Sequence, residues 1–249
     1  MVKTRVSNIL TSEKFAAFPH VRFGFSSCGL VTPSLPFGFN LSYNVGDREE
    51  NVKRNREIFF GSLGIPSERV AFAEQCHSTV AVVAQEPGDY RECDALVTDR
   101  KNLFLTITVA DCVPIFVFDK ENQVVSAIHA GWRGTAGRIV EKTINKLVSE
   151  FGSREEDLLV YVGPSARSCC YEVGIDVVKQ FSDEFLVRKD GRLFLNLKEA
   201  NVTQLSAAGI QKENVQVNPY CTICNPVMFH SFRRDKERSG RMMGVLGLV

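Results

Sequence analysis

Three short runs of β-branched and aromatic residues stand almost end to end at residues 103–109, 115–118 and 123–129, and they constrain this chain more than anything else in it. Runs this short and this apolar predict buried strands, with a turn at residues 119–122 between the second and the third. Cys112 falls where the first strand breaks ahead of Pro114, and His129 falls where the third gives way to a glycine-punctuated turn. Strand ends that meet loops can hold a reactive group at a cleft, because the backbone behind is fixed and the space ahead is open. One short unit thus delivers a thiol and an imidazole to such places.

Around this unit the pattern alternates. A strand is predicted at 21–25, then a loop rich in Gly, Pro and Ser at 26–40, with Asp47 as cap of a helix that carries Val52, Phe59 and Leu63 and stops at Gly64 and Pro66. Residues 72–84 read as one strand containing His77, 86–92 as a polar loop and 93–99 as a short strand. Helices are expected at 138–151, 176–185 and 197–208, and strands at 158–162, 193–197, 215–218, 227–232 and 242–248. Strands run consecutively in the middle and are interleaved with helices elsewhere, so a mixed α/β fold is predicted, its sheets covered by helices. With no internal repeat, low-complexity tract or long linker, one domain over residues 1–249 is expected.

Thirty basic residues against twenty-nine acidic ones leave a formal charge of +1, which gives no long-range field toward nucleic acid or an anionic membrane. No stretch approaches the roughly 20 apolar residues that span a bilayer. The first twenty residues lack an uninterrupted apolar segment, so a cytoplasmic location is expected. Eight cysteines in a reduced compartment become core fillers, ligands or nucleophiles rather than disulfides.

His77, Cys112 and His129 form the main constellation of reactive types. A borderline-soft ion such as zinc accepts imidazole nitrogen and thiolate sulfur, and three protein ligands with one open position make a catalytic site. Their separations, 112 − 77 = 35 and 129 − 112 = 17 residues, match no compact zinc pattern, so spacing leaves other readings open. Cys112 reads equally as a small core residue, or as a nucleophile with His129 as its base. Cys221-Thr-Ile-Cys224 has a spacing that grips metals or cycles as a redox pair, but no second such pair completes a four-thiolate set and no thioredoxin-like context surrounds it, so core packing or incidental spacing is expected for it, and the same for adjacent Cys169 and Cys170. The turn Gly131-Trp-Arg-Gly-Thr-Ala-Gly137 reads as a strand-to-helix connection or as an anion site assisted by Arg133. It lacks the Gly-Lys-Ser/Thr ending of a nucleotide-binding P-loop.

A set of short motifs occurs in one order along the chain: Asn55-Arg56, Gln75-Cys-His77, Asp94-Ala-Leu-Val-Thr98, Ala110-Asp-Cys-Val-Pro114, His129-Ala-Gly-Trp-Arg-Gly-Thr135, Gly163-Pro164, Cys170-Tyr-Glu-Val173, Phe229-His-Ser-Phe-Arg-Arg-Asp235 and Ser239-Gly-Arg241. Together they resemble the YfiH family, also called laccase-domain or polyphenol oxidase proteins and related to a peptidoglycan editing factor. The resemblance implies a layered α/β/β/α domain similar to the catalytic domain of cytotoxic necrotizing toxins. It also implies a metal site, usually zinc, on the residues matching His77, Cys112 and His129, and activity on purine nucleosides: phosphorolysis of adenosine, inosine, guanosine and methylthioadenosine, with adenosine deamination beside it.

On that expectation the trio is catalytic together with Asp94, which, or else Glu74, would move protons in deamination. Arg56 is expected to hold inorganic phosphate through its guanidinium fork, and Asn44, Gln75 and Arg133 to contact the substrate. A monomer with small-molecule partners is implied. The alternative activity is a hydrolase that removes misincorporated amino acids from muramyl precursors. A copper-dependent polyphenol oxidase ranks lower, because the four histidines, His20, His77, His129 and His230, are too few for a multicopper cluster. Cys76, Ser78, His230 and Ser239 depart from the family's usual residues, and none of them is an expected ligand.

Overall fold

The apolar runs become the central strands of two stacked sheets. The computed structural model describes residues 9–29 and 37–249. Its strands are β1 (Ile9–Leu10), β2 (Val21–Ser26), β3 (Val70–Ala73), β4 (Ala81–Val83), β5 (Gly88–Tyr90), β6 (Ala95–Thr98) and β7 (Phe104–Val109). They continue with β8 (Val113–Asp119), β9 (Val124–Ala130), β10 (Leu158–Val162), β11 (Leu186–Lys189), β12 (Arg192–Leu195), β13 (Val215–Val217) and β14 (Met242–Leu248). The helices are α1 (Glu13–Ala16), α2 (Glu49–Ser62), α3 (Trp132–Ala136), α4 (Ile139–Phe151), α5 (Ile175–Val178), α6 (Leu197–Ala207) and α7 (Phe232–Asp235). One sheet has the order β1-β2-β14-β7-β3-β5, the other β13-β10-β8-β9-β6-β4, and β11 with β12 forms a separate hairpin. Both large sheets mix parallel and antiparallel pairs.

Side-chain alternation sorts these strands into four layers with three cores between them. In β8, Val113, Ile115 and Val117 pack with Ile139, Ile144 and Leu147 of α4 and Leu205 of α6. Phe116 and Phe118 point the other way, between the sheets, and meet Phe23, Leu105 and Leu246. In β14, Leu246 and Leu248 face that inner core, whereas Met243 and Val245 pack with Phe59 and Phe60 of α2. The order of layers is therefore helix, sheet, sheet, helix. Strands buried on both faces are apolar at most positions, the buried Thr106 and Ser126 hydroxyls donating to the Ala71 and Leu96 carbonyls, which is why the sequence shows near-continuous runs in place of alternation. Each large side chain buried this way contributes about 1.5–3 kcal/mol.

Several expectations change at the edges of this frame. Residues 72–84 do not form one strand. They split into β3 and β4, which belong to different sheets, and residues 74–80 cross between them. The polar loop contains β5, which pairs parallel with β3. The glycine-rich turn is itself helix α3, and Thr135 Oγ1 donates to the Gly131 carbonyl at 3.0 Å to close it. Residues 227–232 are no strand: Val227 is 84% exposed, Phe229 is buried, and a turn closed by hydrogen bonds to the Asn225 carbonyl leads into α7. The helix expected at 176–185 stops after α5: the Phe181 N–H turns back to the Val178 carbonyl, and Asp183–Phe185 forms a separate short turn closed by the Phe185 N–H on the Ser182 carbonyl. Asp47 accepts from the Arg48 N–H and from Asn51 Nδ2, just ahead of α2. Of the loop expected at 26–40, residues 30–36 lie outside the described residues. No helix among the described residues is long and apolar enough to cross a membrane.

Candidate functional site

Two crossings from one sheet to the other come together at one end of the sandwich. Residues 110–112 carry the chain from β7 to β8, and 74–80 carry it from β3 to β4. Cys112 lies on the first crossing and His77 on the second. His129 lies on β9, opposite Pro114 in the register of β8 with β9. Asp111 at φ +86° and His77 at φ +61° adopt left-handed backbone, which non-glycine residues take up at a cost of about 1–3 kcal/mol. The crossings bring one ligand atom each from His77, Cys112 and His129 within 4.8 Å of one another. Cys112 Sγ is 4.0 Å from His77 Nε2, and the two imidazoles meet edge to face at 5.0 Å.

One buried carboxylate organises this arrangement. Asp94 Oδ1 accepts His129 Nδ1–H at 2.6 Å and the His77 backbone N–H at 3.1 Å. Its Oδ2 accepts the N–H groups of Cys76 at 3.2 Å and Ser78 at 2.6 Å, and the Ser78 hydroxyl at 2.8 Å. The crossing at 74–80 leaves strand geometry because its amides bind this side chain in place of a ladder. Gln75 pins the other flank, donating to the Thr108 carbonyl at 2.8 Å and accepting the Thr108 N–H at 2.8 Å.

Electrostatics follow from these contacts. Burial would raise the Asp94 carboxyl, but hydrogen bonding and charge from His129, with the Ser78 donors, hold it well below the usual carboxylate range. Burial likewise pushes the Cys112 thiol up, yet the charge of His129 and hydrogen bonds from both imidazoles bring it down to about 6. Burial lowers His129, and the Cys112 charge with the Asp94 hydrogen bond outweighs it, raising the imidazole to about 9. A thiolate beside two imidazoles is the donor set a borderline-soft ion takes. With Nδ1 fixed on a carboxylate, His129 has Nε2 left for an ion, the usual arrangement behind a metal-binding histidine. Space is provided too: a Cβ on Gly131 would come 2.8 Å from His77 Cδ2 and 3.2 Å from Cys112 Sγ.

The trio forms part of the wall of a cleft of about 450 Å³. Asn44, Gln75 and Arg133 are on its wall, and so are Arg233, Arg241 and Tyr171, which sequence reasoning did not single out as site residues. All three arginines stack on aromatic rings: Arg133 on Trp132 at 4.3 Å, Arg233 on Tyr171 at 5.0 Å and Arg241 on Phe232 at 5.5 Å. Arg56 lies elsewhere. It lines an adjoining cleft of about 500 Å³ with Glu74 and Asp89, clamped 4.4 Å from the ring centres of both Tyr43 and Phe72, and its Nε donates to the Leu41 carbonyl. Asn44, Gln75 and Thr108 border both clefts. Neither Asp94 nor Glu74 is on the wall of the cleft that holds the trio.

A family model described as multi-copper polyphenol oxidoreductase laccase matches residues 25–249. The chain is 32% identical over 240 residues to a purine nucleoside phosphorylase of Clostridium acetobutylicum, covering 94% of this chain and 98% of that one. To a purine nucleoside phosphorylase of Deinococcus radiodurans it is 38% identical over 212 residues, covering 82% and 81%. Among solved structures, the hypothetical protein YfiH of Bacillus licheniformis matches with a TM-score of 0.91 at 31% identity, over 97% of each chain.

Proposed function

The chain belongs to the multi-copper polyphenol oxidoreductase laccase family, the YfiH-type proteins its motifs resemble, and from that premise we propose that it is a zinc-dependent purine nucleoside phosphorylase. Adenosine, inosine, guanosine and methylthioadenosine are its proposed substrates, with adenosine deamination as an accompanying reaction. The observation that carries this reading is the joint placement of three arginines and the His77, Cys112 and His129 donor set on one cleft wall. A cleft of about 450 Å³ falls within the usual range for small-molecule sites.

In phosphorolysis a phosphate oxygen bonds to the ribose C1′ while the bond from C1′ to the purine nitrogen breaks, and the purine leaves with that electron pair and takes up a proton. Arg133, Arg233 and Arg241 would hold and neutralise the phosphate. Trp132 and Phe232 offer apolar walls to the base. Burial and the Cys112 charge push the Tyr171 hydroxyl up to about 12, so it stays protonated and can donate to the departing purine. His77, Cys112 and His129 would hold zinc, which when bound supplies Lewis-acid polarisation. Asp94 would act through His129 by fixing its tautomer, and Arg56 with Asn44 would meet the outer end of the substrate.

Deamination needs a carboxylate that moves protons at the cleft. Asp111 is on the wall, but its oxygens accept from the Thr222 and Ser231 hydroxyls and the Arg233 N–H, which favours phosphorolysis over deamination in the proposed reading. Phenol oxidation by several coppers is disfavoured because only two of the four histidines are in the trio. His20 and His230 are in neither cleft and bury Nε2 without a hydrogen-bond partner. The test is adenosine with and without phosphate. Adenine and ribose 1-phosphate should appear only with phosphate, and inosine would report deamination; no purine product in either case refutes the proposal. The lowered Cys112 thiol beside His129 favours a second reading, an amino-acid-releasing hydrolase on muramyl precursors. Free serine from a serine-bearing precursor would select it.

A further inference from the structure

Among the described residues a second cluster of ligand-type side chains lies apart from the cleft. Cys169, Cys170, Cys221 and Cys224 bring their sulfur atoms within 4.8 Å of one another. The sequence pattern leaves Cys221-Thr-Ile-Cys224 incomplete because no second pair has that spacing. The adjacent pair Cys169-Cys170 completes it through the fold. Ser165 bridges Cys221 in parallel register, and the Thr222 N–H donates to the Ser165 carbonyl at 3.1 Å. A turn closed by the Cys170 N–H on the Arg167 carbonyl at 3.0 Å brings both thiols of the pair to Cys224. Asn225 Nδ2 closes the facing turn on the Cys221 carbonyl at 2.8 Å.

Packing does not account for this cluster. Only Cys221 is buried; Cys169 and Cys224 are exposed, and a thiol in water gains nothing as a core filler. All four are free thiols. Sγ of Cys224 lies 2.9 Å from that of Cys170 and 3.5 Å from that of Cys169. Four sulfurs on a tetrahedral ion with bonds of about 2.3 Å stand about 3.8 Å apart, a spacing within the 4.8 Å that encloses all four sulfurs here and reached by small outward rotations of the closest pairs. We propose that Cys169, Cys170, Cys221 and Cys224 form a second metal site, of the closed four-thiolate structural type, that takes a thiophilic divalent ion such as zinc.

Backbone N–H groups of Cys224, Arg167 and Ile223 point at the Cys221 sulfur, as the outer shell of a metal thiolate does. The site clamps the segment that carries Tyr171 to the segment that carries Thr222. Thr222, between the two ligands of the second segment, donates from Oγ1 to Asp111 Oδ1 at 2.6 Å, and Asp111 precedes Cys112. The clamp thus backs the turn that presents Cys112 without touching substrate.

Elemental analysis of protein purified under reducing conditions without added metal tests the proposal, and site-specific variants separate it from the cleft. Two ions per chain are expected in the unaltered protein, one in His77→Ala and one in Cys169→Ser/Cys224→Ser. Cobalt added to His77→Ala after its metal has been stripped with a chelator under reducing conditions should give the thiolate-to-cobalt charge-transfer absorption of a four-sulfur tetrahedral site, a readout that does not depend on the cysteine variant folding. An unchanged metal count in the cysteine variant, no metal and no cobalt signal in His77→Ala, or a Cys170–Cys224 disulfide in protein alkylated at lysis would each overturn it.

Discussion

Asp94 Oδ1 lies 2.6 Å from His129 Nδ1, and the same carboxylate holds the amide groups of Cys76, His77 and Ser78. One side chain therefore sets the tautomer of one imidazole and the backbone of the residue carrying the other. Asp94→Asn keeps the shape but puts an amide donor among five N–H or O–H donors. Zinc affinity should fall about 10- to 100-fold, the usual effect of losing such a partner. Titration against a competing chelator measures this, and unchanged affinity would remove Asp94 from the metal centre.

Gly131→Ala should damage the same centre from the opposite side. The added methyl would meet His77 Cδ2 at 2.8 Å and Cys112 Sγ at 3.2 Å, so His77 or the α3 entry must shift. Overpacking of this kind costs about 1–3 kcal/mol. Metal content should drop while the far-ultraviolet circular dichroism stays that of the parent; full metal retention would contradict the geometry.

For phosphate recognition, Arg233→Ala should raise KM for phosphate and leave zinc content intact. A charge-assisted hydrogen bond is worth about 1.5–3 kcal/mol, or roughly 10- to 100-fold in kcat/KM. Arg56→Ala, in the adjoining cleft, should affect phosphate less than nucleoside. Initial rates with each substrate varied in turn would show the opposite ranking if Arg56 carries the phosphate.

His230 supplies a pH dependence. Burial, and behind it the charge of Arg241, depress its imidazole to about 4, against 6.5 for the exposed group. The folded state thus resists a proton that the unfolded chain accepts. Stability attributable to this residue is complete above pH 6.5, declines as pH falls from there to about 4, and is flat below, an effect of about 3 kcal/mol at most. Urea midpoints for the parent and His230→Phe at pH 7 and pH 4.5 check it. The variant should lose less stability on acidification, and parallel losses would refute the assignment.

Legibility in the sequence tracked local physics. Strands β7, β8 and β9 were readable because burial on both faces makes most positions apolar, and α4 because its apolar residues recur at helical spacing. The split between β3 and β4 was hidden, since the cause is Asp94, seventeen residues from His77 and in another element. Val227 and Phe229 imitated a strand because apolar type says nothing about which side chain reaches water. His77, Cys112 and His129 were picked out by type and by family resemblance, while Arg233 and Arg241 went unassigned because only the returning C-terminal segment brings them to the cleft. Their clustering with aromatic residues in 229–241 was the available signal. That the four thiols lie together was not legible, because bringing Cys169-Cys170 to Cys221 depends on the bridge at Ser165.

The two crossings have a mechanical consequence. His77 and Cys112 both sit where the polypeptide passes between the layers of the sandwich, and His129 belongs to one layer only. The zinc proposed for all three would act as a rivet through the seam, so that the layers could not part without releasing it. Melting should then be a single event that shifts upward with free zinc by mass action, the sandwich separating and the proposed metal site emptying at the same temperature.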